Sequence, residues 1–312
     1  MVCCSAPGKV ILFGEHAVVY GKPAIALSVN KRISSIMSWG DKKTTINHME
    51  LDEEKQPFLV RAIEKTNIKK PLSVTTESDL PSGAGMGSSA ALTVSLLGSL
   101  HALKEEDTEN ETIAEEAFDV EYDVQGSASP IDTSTSVHGR AIFISDREEK
   151  NLLWSISKGD KLWNIHHMDL PDMKLVIGHT GIHAPTGPLV KMVGEFYNAN
   201  NFAKEVIDEI GMVVLKGKKA LNNGDLEEVG RLMNKNHKLL RILGVSHPRL
   251  ESLVRATRKH SYGSKLTGAG GGGAMISLTD KPEKVADIIE KRGGEPYTFK
   301  PSKHGMRLEE KG

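Results

Sequence analysis

Asp79-Leu-Pro-Ser-Gly-Ala-Gly-Met-Gly-Ser-Ser-Ala-Ala-Leu92 sets three alternating glycines in front of two serines and an unbroken helical pattern. Glycine lets a backbone take positive φ and pass close to a ligand, so successive N–H groups can converge on an anion. From Ser88 to about Lys104 the residues are small or leucine-rich. A helix starting there aims its unpaired N–H groups and positive dipole end at the same point. The stretch reads as a phosphate cradle made by Pro81, Ser82, Gly83, Ala84, Gly85, Met86, Gly87, Ser88, Ser89 and Ala90, with Ser88 or Ser89 able to offer a hydroxyl to a metal. A Gly-rich turn capping a buried helix is the plainer alternative, and two other segments weigh against it.

The first is Ala6-Pro-Gly-Lys-Val-Ile-Leu-Phe-Gly-Glu-His-Ala-Val-Val-Tyr-Gly21. Lys9 opens a strand whose other members, Val10 to Phe13, are apolar on both faces, so its ammonium must leave at the strand end or meet an anion. A phosphate suits it; snorkelling into solvent is the alternative. Gly8-Lys9 is not a Walker A sequence, since Val10 stands where Ser or Thr belongs. Glu15 and His16 follow at the strand exit, where polar side chains line a site or simply face solvent.

The second is a helix over Thr112 to Val124 followed by the loop Gln125 to Ser136. Thr112-Ile-Ala-Glu115 has the pattern of a capping box and sets the register. At about 100° per residue Ile113, Ala117, Val120 and Val124 share a face, and Glu121 projects within that arc. A core-facing carboxylate needs a salt-bridge partner or a cation. Asp132 lies in the loop of small residues, where a substrate can approach or an Asx turn can form.

With 312 residues the chain is long enough for one large or two ordinary domains. Lys plus Arg at 40 against Asp plus Glu at 41 argues against a nucleic-acid or anionic-membrane surface as the main partner, and a small ligand is the better expectation. No apolar run approaches the roughly 20 residues of a membrane span, and the N-terminus has no secretion-signal pattern. Adjacent Cys3 and Cys4 cannot staple distant segments, which fits a reducing compartment, so a cytoplasmic location is expected. The organisation is α+β. Strands are expected at Lys9 to Phe13, Ile25 to Val29, Ile33 to Trp39 and Leu72 to Thr76, and helices at about 58–65, 88–104 and 112–124. From Thr186 to Lys259 the pattern is mostly helical, broken at Asn222-Asn-Gly224 and Gly244 to Pro248. Ala274 to Leu278, Lys281 to Lys291 and Pro296 to Lys300 read as strand, helix and strand. A domain boundary is placed near 170, dividing the chain into 1–170 and 171–312.

Lys9 to Gly21, Leu80 to Ala90 and Lys265-Leu-Thr-Gly-Ala-Gly-Gly-Gly-Gly273 resemble, in order, the three motifs of the GHMP kinases. Gly14 to Gly21, and Asn236-His237 followed by Leu243 to His247, make the chain similar to the branch that acts on mevalonate. Gly268, Gly270 and Gly273 also spell the dinucleotide fingerprint, but Ala274 to Leu278 reads as a strand where that motif opens a helix.

The resemblance implies a two-domain fold, an N-terminal domain like the second domain of ribosomal protein S5 and a ferredoxin-like C-terminal domain, with the site between them. It implies ATP-dependent phosphorylation of the 5-hydroxyl of (R)-mevalonate, with Mg2+ required and a homodimer among the expected assemblies. Ser89 and Glu121 match the family's magnesium ligands, Asp132 the acid proposed as general base, and Lys9 the lysine that neutralises charge in transfer. Glu15, His16, Thr186 and Gly270 are candidates to hold mevalonate. Ala128-Ser-Pro-Ile-Asp-Thr133 departs from the family's Pro-Ser-Gly-(Ile/Val)-Asp-Asn, and His138-Gly-Arg140 stands where Gly-Gly is common. Rival readings are another GHMP kinase, acting on phosphomevalonate, homoserine or a sugar, a diphosphomevalonate decarboxylase, and a non-catalytic nucleotide sensor.

Overall fold

The computed structural model describes residues 1–81, 85–126, 128–183 and 185–309. The N-terminal half contains β1 (Val2–Phe13), β2 (Ala24–Trp39), β3 (Thr45–Ile46), β4 (Met49–Glu50), α1 (Pro57–Lys65), β5 (Leu72–Ser78) and α2 (Ser88–Leu103). It continues through α3 (Asn110–Gln125), α4 (Ile131–His138), β6 (Ala141–Ser145), β7 (Leu152–Lys158) and β8 (Lys161–Met168). The second half runs β9 (Leu175–His179), α5 (Thr186–Ala199), α6 (Asn201–Asn222), α7 (Leu226–Ile242), α8 (Pro248–Thr257), β10 (Gly263–Thr267), β11 (Ala274–Leu278), α9 (Pro282–Lys291) and β12 (Glu295–Phe299). A last short strand, β13 (Arg307–Leu308), pairs back with β1.

The organising element of the first sheet is β2. One edge pairs along β1, from Phe13↔Ile25 to Val2↔Met37. The other edge is shared: Ala24–Leu27 pair with β6 and Ile33–Trp39 with β5. The two strands expected at Ile25 to Val29 and Ile33 to Trp39 are therefore one, because the exposed Asn30-Lys31 between them interrupts the apolar pattern and not the ladder. Against this sheet lies α2, buried nearly all round, which is why its sequence is apolar on every side. Its buried Ser95 and Ser99 are matched to β2, where Ser35 Oγ donates to the Ser95 carbonyl at 2.7 Å and Ser99 Oγ to the Ser35 carbonyl at 2.8 Å.

The second sheet has the order β10-β11-β9-β12, all antiparallel. With β9 first in sequence this is the ferredoxin-like arrangement. Val176, Met275 and Ile289 pack in a core with α8 and α9. Ile177 and Ile276 instead join Val10, Leu12 and Phe13 of β1 in one apolar cluster, so the halves meet through a hydrophobic core. We propose the domain division at about residue 170, with the tail after β12 returning to the first sheet. Among the described residues no helix is long and apolar enough to cross a membrane.

Several expectations are corrected. Helix α3 begins at Asn110, its cap is Glu109 without a side-chain bond, and Thr112 lies inside it, so the capping box does not form. Residues 131–138 are not loop but α4. Its Ser/Thr-rich sequence has low helix propensity, and tertiary contacts override that, with Trp154 Nε1 donating to Ser134 Oγ at 3.2 Å. The long helical region breaks also at Asn200, whose extended backbone and side chain cap α6. The β7–β8 hairpin and β10 had no reading in the sequence.

The tail grips the far end of α4. Met306 N donates to the Val137 carbonyl at 3.0 Å and Arg140 N to the Ser302 carbonyl at 2.8 Å. A Cβ on Gly305 would stand 1.8 Å from the Val137 carbonyl oxygen. Gly305→Ala is expected to destabilise the fold by about 1–3 kcal/mol through overpacking against backbone, measured by urea denaturation; an unchanged midpoint would show that the tail is not seated there.

Candidate active site

Three elements converge at one cleft: the middle of β1, the glycine loop before α2, and the start of α4. Lys9 N donates to the Met86 carbonyl at 2.8 Å, tying strand to loop. The contact demands glycine on both sides. A Cβ on Gly8 would lie 2.6 Å from the Met86 carbonyl oxygen, and one on Gly87, at φ 69°, would lie 2.7 Å from Lys9 Cε. The Lys9 side chain thus crosses Gly87, and its Nζ meets Asp132 Oδ2 at 2.7 Å. Asp132 sits in the first turn of α4, and its Oδ1 is buried with no partner among the described residues.

Beside this pair Ser89, in the first turn of α2, donates to Glu121 Oε1 at 2.8 Å. Glu121 is buried, as its helical phase required. Burial first, and then the Asp132 carboxylate, push its pKa up to about 7, against the opposing Ser89 bond and Lys9 charge. Two carboxylates thus stand beside one lysine. Ser89 and Glu121 are hard oxygen donors on adjacent elements, a donor set that fits a divalent cation also bound to phosphate oxygens.

Gly85, Met86, Gly87, Ser88 and Ser89 line the cleft. Ala90 is buried in the first turn of α2, and Pro81 leads into the loop without lining the cleft. Ser82, Gly83 and Ala84 lie outside the described residues.

The opposite wall comes from the second half. Thr267 locks β10 to β1, its Oγ1 accepting from Ile11 N at 3.1 Å and donating to the Ile11 carbonyl at 2.9 Å. The turn 268–273 then bends along the cleft. Gly270, at φ 88°, packs so closely that a Cβ would stand 1.9 Å from the Val245 carbonyl oxygen. A strand follows it, which rules out the dinucleotide reading of Gly268, Gly270 and Gly273. Thr186 is the exposed first residue of α5 and lines the cleft with His183. His16 holds a left-handed backbone at φ 61° and bonds through Nε2 to the Ala269 carbonyl at 2.9 Å. Burial lowers its pKa, so the ring stays neutral near pH 7 and Nε2 carries the proton.

Glu15 lines the same wall, but its carboxylate is already engaged by Lys265 of β10 and Asn236 of α7. Both partners were visible as motif residues; their role was not, because a contact across 221 or 250 residues has no local signal. Arg140, where the family commonly has glycine, takes φ 49°, the backbone region glycine favours.

Residues 57–140 match the GHMP kinases N terminal domain and residues 218–297 the GHMP kinases C terminal domain. Mevalonate kinase from Pyrococcus abyssi (strain GE5 / Orsay) is 34% identical, with 99% of this chain and 98% of that protein aligned. The crystal structure of Methanococcus jannaschii mevalonate kinase superposes with a TM-score of 0.79 at 25% identity, covering 96% of this chain and 98% of that one. L. major mevalonate kinase in complex with R-mevalonate gives 0.78 at 25% identity, covering 96% and 95%. Matched over both halves of its length, with the ordered motifs brought to one cleft, the chain belongs to the mevalonate kinase family of the GHMP kinases.

Proposed function

We propose that this enzyme transfers the γ-phosphoryl group of ATP to the 5-hydroxyl of (R)-mevalonate, giving 5-phosphomevalonate and ADP, a step toward isoprenoids. The observation that carries the reading is the Lys9–Asp132 pair, 2.7 Å apart beside the start of α2, with Asp132 Oδ1 buried and unpartnered. The Asp132 side chain is partly exposed in the cleft, where its carboxylate is proposed to accept the hydrogen bond of a substrate hydroxyl. As the new O–P bond forms and the β–γ bridge breaks, the hydroxyl proton passes to Asp132. In a loose transition state the nucleophile is weakly bonded, so Asp132 acts first by orienting the alcohol. Lys9 restrains the other carboxylate oxygen and adds positive charge beside the group in flight.

The phosphates are assigned to the cleft-lining residues Gly85 to Ser89 and to the N–H groups opening α2. Ser89 and Glu121 would hold Mg2+, which when bound neutralises charge on the phosphate oxygens. The geometry supports this, since Ser89 Oγ and Glu121 Oε1 lie 2.8 Å apart and both residues line the cleft. His16, Thr186 and Gly270 are proposed to form the wall against which the acid lies.

ADP release, measured with ATP and Mg2+ on (R)-mevalonate, phosphomevalonate, homoserine and galactose, tests the assignment. Turnover on mevalonate alone is expected; preference for another acceptor would overturn the substrate. Asp132→Asn should fold, bind ATP and lose roughly 10²–10⁴-fold in turnover, whereas full activity would remove the proposed base. Glu121→Gln should need more Mg2+ for half-maximal rate, and an unchanged metal titration would count against Glu121 as a ligand.

The same variant has a stability signature. Glu121 rises from an ordinary 4.5 to about 7 in the fold, so between those values the folded protein holds a proton that the unfolded chain has released. The stabilisation is complete below the unfolded value and is lost as pH rises through the folded one. Glu121→Gln cannot suffer that loss. In metal-free buffer its Tm relative to the native protein should climb as pH increases across this interval, and a constant difference would contradict the shift.

A further inference from the structure

Glu15 and Lys265 form an ion pair almost sealed from water, 1% and 0% exposed. The Lys265 ammonium donates to Glu15 Oε1 and, at 2.6 Å, to the Leu266 carbonyl. Glu15 Oε2 accepts from Asn236 Nδ2 at 2.9 Å, and Asn236 is fully buried. Desolvation offsets much of the attraction in such a pair, so stability alone is a weak reason for it. Its position supplies another. Glu15 joins β1 to the left-handed turn at His16, and both line the cleft wall.

The role inferred for this pair rests on the proposed substrate, mevalonate, which is an anion. The 5-hydroxyl of mevalonate is assigned to Asp132, beside the start of α2, so the remainder of the molecule extends away from the glycine loop. Glu15 and His16 line the same cleft as Asp132, so the carboxylate end is assigned to the wall that contains them. An uncompensated Glu15 there would repel the substrate with little solvent to screen it.

We propose that Lys265 and Asn236 are positioning residues that determine specificity. Lys265 cancels the charge of Glu15 and Asn236 fixes its second oxygen, so that the wall admits a carboxylate. Glu15 anchors the His16 turn and is not itself a ligand of the substrate.

Steady-state kinetics on the full chain test this with Lys265→Met, Glu15→Gln and the double variant. KM is measured for ATP and (R)-mevalonate, and the neutral amide of mevalonate is measured as a competitive inhibitor. Lys265→Met should raise the KM for mevalonate at least about tenfold, leaving the KM for ATP and the inhibition constant of the amide within about twofold. The double variant should bring the mevalonate KM back toward the native value, since it removes both charges. Glu15→Gln alone should leave that KM within about twofold, because the wall then carries no negative charge to repel the substrate. Equal weakening of mevalonate and amide in Lys265→Met, or a tenfold rise in KM for Glu15→Gln, would overturn the proposal; the latter would mark Glu15 as a ligand. If Lys265→Met does not fold, Glu15→Gln and the double variant decide by the same criteria. A native enzyme that ignores mevalonate would defeat the substrate reading instead, and that result is seen before any variant is made.

Discussion

The cleft exists because β1 runs within hydrogen-bonding distance of the loop that precedes α2. No residue with a Cβ can stand at Gly8 or Gly87 without displacing the Met86 carbonyl or the Lys9 side chain. That close approach puts the Lys9 ammonium at the opening of α2, where the helix dipole already favours anions. It also gives Lys9 a straight path to Asp132 on α4. Strand, loop and two helices are thus brought to one point by the absence of two side chains.

Electrostatics then sets what the point can do. Lys9, Asp132 and Glu121 are drawn from three elements to one cleft, with Lys9 and Glu121 buried and Asp132 partly exposed. The pKa of Glu121 is raised first by its burial and then by the Asp132 carboxylate beside it. The opposite wall is balanced differently, with Glu15 paired to Lys265 from the other half of the chain.

The halves are joined by more than a linker. An apolar cluster spans β1, β2, β9, β11, α6 and α7; Thr267 bonds both N–H and carbonyl of Ile11; and the last residues return to cap α4. The end of α4 distant from Asp132 is therefore held by residues near the end of the chain. Such ties keep Asp132, which sits in the first turn of a short helix of low intrinsic propensity, in a fixed place.

The sequence by itself determined whatever depends on neighbours along the chain. The glycine loop and the helix from Ser88 follow from residue type and order, and the inward direction of Glu121 follows from helical phase, which is a local geometric property. The α+β class and the strand after the third glycine motif were legible for the same reason. Tertiary structure decided the rest. Asp132 belongs to a helix only because Trp154 and the tail stabilise a stretch that would otherwise remain irregular. Lys9 finds Asp132, and Glu15 finds Lys265 and Asn236, across separations that leave no trace in periodicity or spacing. Charges pair by distance in space, and only the folded chain sets that distance.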